Sequence, residues 1–181
     1  LASRFAYHVM KEIVPCVDYC LDYHTGGAQR FNYPQLRING SDEETLFLAE
    51  AFGASYILFA QNREKSFRES MVKLGKKVVL FEGGKSLHLN KAVTKAGVQG
   101  AINVMHYLKM RDFSDRVSEK TSPIIIKNST WIRAKHSGMY RSYVDAGEKV
   151  EKDAVLGSIS DPYGNFELKF KNKQGEGYIL N

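Results

Sequence analysis

The sequence predicts an α/β fold followed by a small all-β region, and three observations carry that prediction. Helical and strand-like patterns alternate as far as residue 109, the signature of a sheet layered with helices. A polar stretch from Arg111 to Ser122 then ends in Pro123 and reads as a linker. After it, short β-type runs alternate with turns marked by Gly, Asp and Pro. The division that follows is residues 1–116 for an α/β part and 117–181 for a small β domain.

The elements follow in chain order. In residues 2–14, Phe5, Val9 and Ile13 recur every four positions and Pro15 stops the pattern, which predicts a helix. Val17 to Tyr23 reads as a buried strand running into His24-Thr25-Gly26-Gly27. Ala28 to Gly40 is polar enough to read as a loop. Ser41 with Glu44 three positions later is a capping-box pattern, and Gly53 closes the helix that it opens. Ser55 to Ala60 is an apolar strand. Glu64 to Leu74 is helical, with Phe67, Met71 and Leu74 on one face. Lys77 to Phe81 is another strand, and residues 91–109 form the longest helix. Alternation of this kind predicts a largely parallel sheet. In the C-terminal part, strands are expected at Ile124-Ile126, Thr130-Ala134, Met139-Val144, Ala154-Ile159, Phe166-Phe170 and Gly177-Leu180.

Composition narrows the function. With 181 residues, 43% hydrophobic and 25% charged, the chain is neither disordered, collagenous nor a coiled-coil rod. Its longest apolar runs, such as Tyr56 to Ala60, fall far short of the roughly 20 residues of a membrane span, so no membrane partner is expected. The net charge of +6 comes from scattered lysines. No basic tract is interleaved with stacking aromatics, so no nucleic-acid partner is expected. Cys16 and Cys20 lie four positions apart on strand-like sequence, roughly 13 Å, which is too far for a disulfide; they read as buried thiols. The chain opens at Leu1 with no signal peptide, and a cytoplasmic location is the expectation. A homo-oligomer stays open.

Two strand ends carry candidate chemistry, because ligands in open α/β sheets bind outside the carboxyl ends of strands. His24 sits at one and Glu82 at the other, each followed by a glycine pair. Asp22 shares a strand face with His24, so it either orients the ring or caps a nearby amide. Glu82 ends the apolar run Val78-Val79-Leu80-Phe81 and suits a general base, or else is a surface glutamate. Arg30 and Arg37 offer guanidinium forks for a carboxylate. Arg68, on the helix before Glu82, is a third candidate or part of a solvated face.

Together these segments resemble one family. Asp22-Tyr23-His24-Thr25-Gly26-Gly27, Arg30-Phe31-Asn32-Tyr33-Pro34-Gln35-Leu36-Arg37 and Glu82-Gly83-Gly84 stand in the order found in the succinylglutamate desuccinylase/aspartoacylase family. The run from Ser137-Gly138-Met139 to Asp161-Pro162-Tyr163-Gly164 resembles that family's C-terminal β domain. The resemblance implies a zinc-carboxypeptidase-like mixed sheet flanked by helices, then a barrel-sandwich-like β domain. It implies zinc as cofactor, His24 as a zinc ligand with Asp22 behind it, and Glu82 as the catalytic glutamate. Arg30, Arg37 and Arg68 fall where substrate carboxylates bind.

One departure bears on the chemistry. The family's zinc is also held by a His-x-x-Glu pair, and none is present here: the five histidines are followed three positions later by Lys11, Gly27, Lys91, Lys109 and Met139. A hydrolytic zinc takes three protein ligands. The chain therefore reads as a fragment, expected to be catalytically dead and to hold no tight zinc by itself. The function expected of the complete protein is zinc-dependent cleavage of the amide bond in an N-acyl amino acid or similar carboxylate-bearing small molecule. A zinc carboxypeptidase acting on short peptides is the alternative. A non-catalytic module is another, since Val144 to Ile159 is similar to a biotinyl- or lipoyl-type hairpin.

Overall fold

The computed structural model describes residues 1–119 and 122–181. Among the described residues, four α-helices and ten strands follow one another: α1 (Ala2–His8), β1 (Tyr19–Gly26), β2 (Asn32–Ile38), α2 (Glu43–Phe52), β3 (Tyr56–Phe59), α3 (Phe67–Lys73), β4 (Lys77–Lys85), α4 (Lys91–Tyr107), β5 (Ile124–Ile126), β6 (Met139–Ser142), β7 (Lys149–Val150), β8 (Val155–Ser160), β9 (Glu167–Lys171) and β10 (Gly177–Tyr178). The first helix does not end at His8. It widens into a π turn over Val9–Ile13 and tightens into a 3-10 turn over Val14–Cys16, where Pro15 can no longer donate. None of the described helices is long and apolar enough to cross a membrane.

The main sheet has five strands in the order β1-β4-β2-β3-β5. Three of its four neighbour pairings are parallel, and β2 runs antiparallel to β4, so the sheet is mixed. The direction change comes from β2, which lies in the segment expected to be a loop. Pro34 and the polar residues around it disguise a central strand. Proline cannot donate to a ladder, and the pairing register with β4 shifts between Asn32 and Gln35 around it.

Two other expectations are corrected. The run Ile124–Ile126, expected in the β domain, pairs in parallel with β3 and forms the far edge of the main sheet. Its isoleucines lie in register with Tyr56, Ile57 and Leu58 and continue that apolar strip. Thr130–Ala134 forms no strand: its residues are exposed and join no ladder. The expected linker, Arg111 to Ser122, includes residues 120 and 121, which lie outside the described residues. Its described part leaves α4 through a turn held by Gln99, which donates to the Arg116 carbonyl at 2.7 Å.

Alternation along the strands gives the sheet two faces. One carries Leu36, Ile38, Ile57, Val79 and Phe81 and packs against α2 and α4 through Leu48, Ala49, Phe52 and Val104. Phe52 stacks on Phe81 with ring centroids 5.3 Å apart. The helices meet closely enough that a Cβ on Gly100 would collide with the Phe52 ring. The other face carries Cys20 and Val78, covered by Val14 and by Met71 of α3. It also bears the polar residues of the candidate site. Asp42, one position later than the expected Ser41, caps α2 by accepting from the Thr45 amide at 3.1 Å.

Beyond β5, β6, β8 and β9 make a three-stranded antiparallel sheet and β7 pairs with β10. This region is tied to the main sheet. Tyr33 of β2 donates its amide to the Leu180 carbonyl at 2.8 Å, and the Tyr56 hydroxyl donates to the Gly147 carbonyl at 3.0 Å. The rings of Tyr33 and Tyr178 both pack on Tyr56.

Candidate active site

Strand register assembles the site. His24 of β1 lies opposite Glu82 of β4, and Glu82 lies opposite Gln35 of β2. One step along, Asp22, Leu80, Arg37, Leu58 and Ile126 form a second row across all five strands. Residues in register share a face, and so do residues two apart on a strand. Asp22, His24, Glu82, Gln35 and Arg37 therefore project from one face, away from α2 and α4.

On that face, His24 Nε2 is 3.1 Å from Asp22 Oδ2, with the ring half exposed. This leaves Nδ1 without a partner among the described residues. Both oxygens of Glu82 are engaged. Oε1 accepts from Asn32 Nδ2 at 2.7 Å, and Oε2 lies 2.8 Å from Arg37 Nε. The latter contact is close but poorly aligned for an N–H···O bond, so it is a Coulombic pairing first. The shift in register beside Pro34 brings Asn32 to Glu82.

Arg68 reaches the same region from α3. It is 8% exposed, and its Nη2 donates to the Gln61 carbonyl at 3.3 Å. Its Nε and Nη1 are buried with no partner among the described residues. Burial lowers its pKa first, and the nearby Arg37 cation lowers it further, against the pull of Asp22 and Glu82. Gln35 is fully buried, and among the described residues neither its amide atoms nor Asn32 Oδ1 find a partner. Buried polar atoms are normally satisfied, so a concentration of orphans around one carboxylate marks a place prepared for a polar ligand.

Of the residues singled out in the sequence, the structure brings together Asp22, His24, Arg37, Arg68 and Glu82. Arg30 makes other contacts: its guanidinium lies 5.7 Å from the Trp131 ring and its Nε donates to the Gly27 carbonyl. The structure adds Asn32 and Gln35 to this group, at Glu82. The signal for Gln35 is the period-two placement of Tyr33, Gln35 and Arg37 opposite Leu36 and Ile38, which is visible once the segment is taken as a strand.

The donor set tests a zinc site directly. His24 and Asp22 are two donors at most, and Glu82 is turned to Asn32 and Arg37. No group of three or more His, Cys, Asp or Glu placed to hold a metal ion occurs among the described residues. These residues do not make up a hydrolytic zinc site, which needs three protein ligands.

No protein-family model matches the sequence, and no curated protein does either. Solved structures share the fold. The chain is similar to a succinylglutamate desuccinylase/aspartoacylase from Rhodobacter sphaeroides, with a TM-score of 0.82 and 19% identity over 98% of this chain and 56% of that one. A succinylglutamate desuccinylase from Silicibacter sp. TM1040 gives 0.81 and 18%, over 99% and 57%. An aspartoacylase family protein from Mesorhizobium loti gives 0.77 and 15%, over 99% and 64%. The fold is thus that of the succinylglutamate desuccinylase/aspartoacylase structures, and the chain spans a little over half the length of the first two.

Proposed function

We propose that this chain carries the acid–base and carboxylate-binding half of an amide hydrolase acting on N-acyl amino acids or similar carboxylate-bearing small molecules. The observation that supports it most is the setting of Glu82: a carboxylate oriented by Asn32 and Arg37, beside a buried Arg68 with two unpaired N–H donors. Glu82 takes a proton from the attacking water and delivers it to the leaving amine. Arg68 binds the substrate carboxylate, which pairs its orphaned donors. Arg37 holds Glu82 in place and faces the negative charge that develops on the amide oxygen. Strands β6–β10 form a small β domain that roofs the same face.

Zinc belongs to the proposal only as an ion to which this chain would give His24, with the other ligands supplied from outside the described residues. The fold likeness to desuccinylase and aspartoacylase structures favours an acylase among the hydrolases. The test is hydrolysis of N-acyl amino acids, with and without added zinc, by a polypeptide in which the ligand set is complete. Glu82→Gln keeps the shape and the Asn32 contact but removes the base, and kcat is expected to fall about 10²–10⁴-fold with KM little changed. Near-normal turnover would assign the proton transfer to another group.

A further inference from the structure

A cavity of about 820 Å³ lies between the β3–β5 side of the main sheet and strands β6–β10. Arg37 lines it and so joins it to the candidate site, whose Glu82 and Arg68 lie outside its lining. From Arg37 the second row of the sheet continues as Leu58 and then Ile126, and both line the cavity. Trp131 and Ile132 face it too, although each is about half exposed, with relative accessibilities of 57% and 49%. Its lining carries three arginines, Arg37, Arg63 and Arg133, and one acidic side chain, Glu176. Arg63 and Arg133 line it without a carboxylate partner among the described residues, and the acidic side chain Glu176 is held by Lys149 at 2.9 Å.

An apolar bed with an arginine rim suits an anion that carries an apolar tail. We infer that the substrate is an N-acyl amino acid with a long apolar acyl group: its carboxylate at Arg68, its amide at Glu82, and its acyl chain laid past Arg37 over Leu58 and Ile126. Two strand spacings span about 10 Å, the reach of an extended chain of about eight carbons. The volume lies in the range of pockets that enclose ligands of this size. This inference rests on the proposed reading of the site and names the substrate class that it takes.

Trp131 is the single tryptophan of the chain, so its emission reports on the cavity alone. The 181-residue chain is titrated with N-acetyl-, N-butyryl-, N-hexanoyl- and N-octanoylglycine, followed by Trp131 fluorescence and by calorimetry. The expected result is a Kd that falls about fourfold per added methylene, with a blue shift of Trp131. Ile132→Asp, at a half-exposed position that folding does not need, is expected to weaken the octanoyl ligand at least tenfold and leave the acetyl ligand unchanged. Arg68→Met is expected to weaken every member of the series. Equal affinities along the series, with the Arg68 effect intact, overturn the acyl-chain inference and leave the hydrolase reading standing. Absence of binding by any member, or binding indifferent to Arg68, overturns both.

Discussion

Arg68 is the residue at which stability and the proposed carboxylate binding pull in opposite directions. A guanidinium buried with two unsatisfied donors carries a desolvation cost that its one bond to Gln61 does not offset. Replacing it with an apolar side chain of similar length removes that cost. Arg68→Met is therefore expected to raise the unfolding free energy by about 1–3 kcal/mol while weakening carboxylate binding. Urea denaturation checks the first effect, and a loss of stability instead would mean that the guanidinium is satisfied where it stands. The sequence shows Arg68 only as one cation on a short helix. Its burial follows from α3 packing over β4, which no local pattern reveals. His24 and Glu82 were more legible, because an apolar run ending in a polar residue and a glycine pair already marks a strand end at a ligand edge.

At the scale of elements, α2 shows how a cap works with a remote partner. Burial pushes the Asp42 carboxyl up, but bonds from Lys77 Nζ and from Thr45 outweigh it and hold the pKa below the ordinary range. A depressed folded-state pKa adds stability above the unfolded value and loses it as pH falls. Asp42→Ala is expected to cost about 1 kcal/mol at pH 7, and the deficit to be smaller at about pH 3, because it shrinks only as pH falls below the unfolded value of about 4 and through the depressed folded pKa. Denaturation midpoints at the two pH values measure both. Strands are less legible in this sequence than helices, for a physical reason. A helix announces itself by capping residues and a 3.6 period within one segment. A strand such as β2 is made by its neighbours: its Gln35 and Arg37 are polar because they face the site, and Pro34 is tolerated where the ladder is already irregular. Likewise, nothing in Ile124–Ile126 itself says which of two sheets it will join.

For the whole molecule, the candidate site residues gather on one face of the sheet while the other is given over to packing against α2 and α4. The site face spans all five strands in one row, from Asp22 on β1 to Ile126 on β5. Alternation of helix and strand made the layering legible, but the joining of site and cavity depends on the order β1-β4-β2-β3-β5, which no adjacency in sequence encodes. That order also places the two principal chemical groups on strands of different standing. Glu82 lies on β4, which is hydrogen-bonded on both sides, whereas His24 lies on β1, which among the described residues pairs with β4 alone. An edge strand opens by local fluctuation at a lower free energy than an interior one. Amides of residues 19–26 are therefore expected to exchange with deuterium well before those of residues 77–85, and equal protection would mean that β1 is held on its outer side as well. Where they do exchange first, the imidazole arm of the site comes and goes on its own clock while the carboxylate arm stays folded, and occupancy of the site is limited by how often the two are present together.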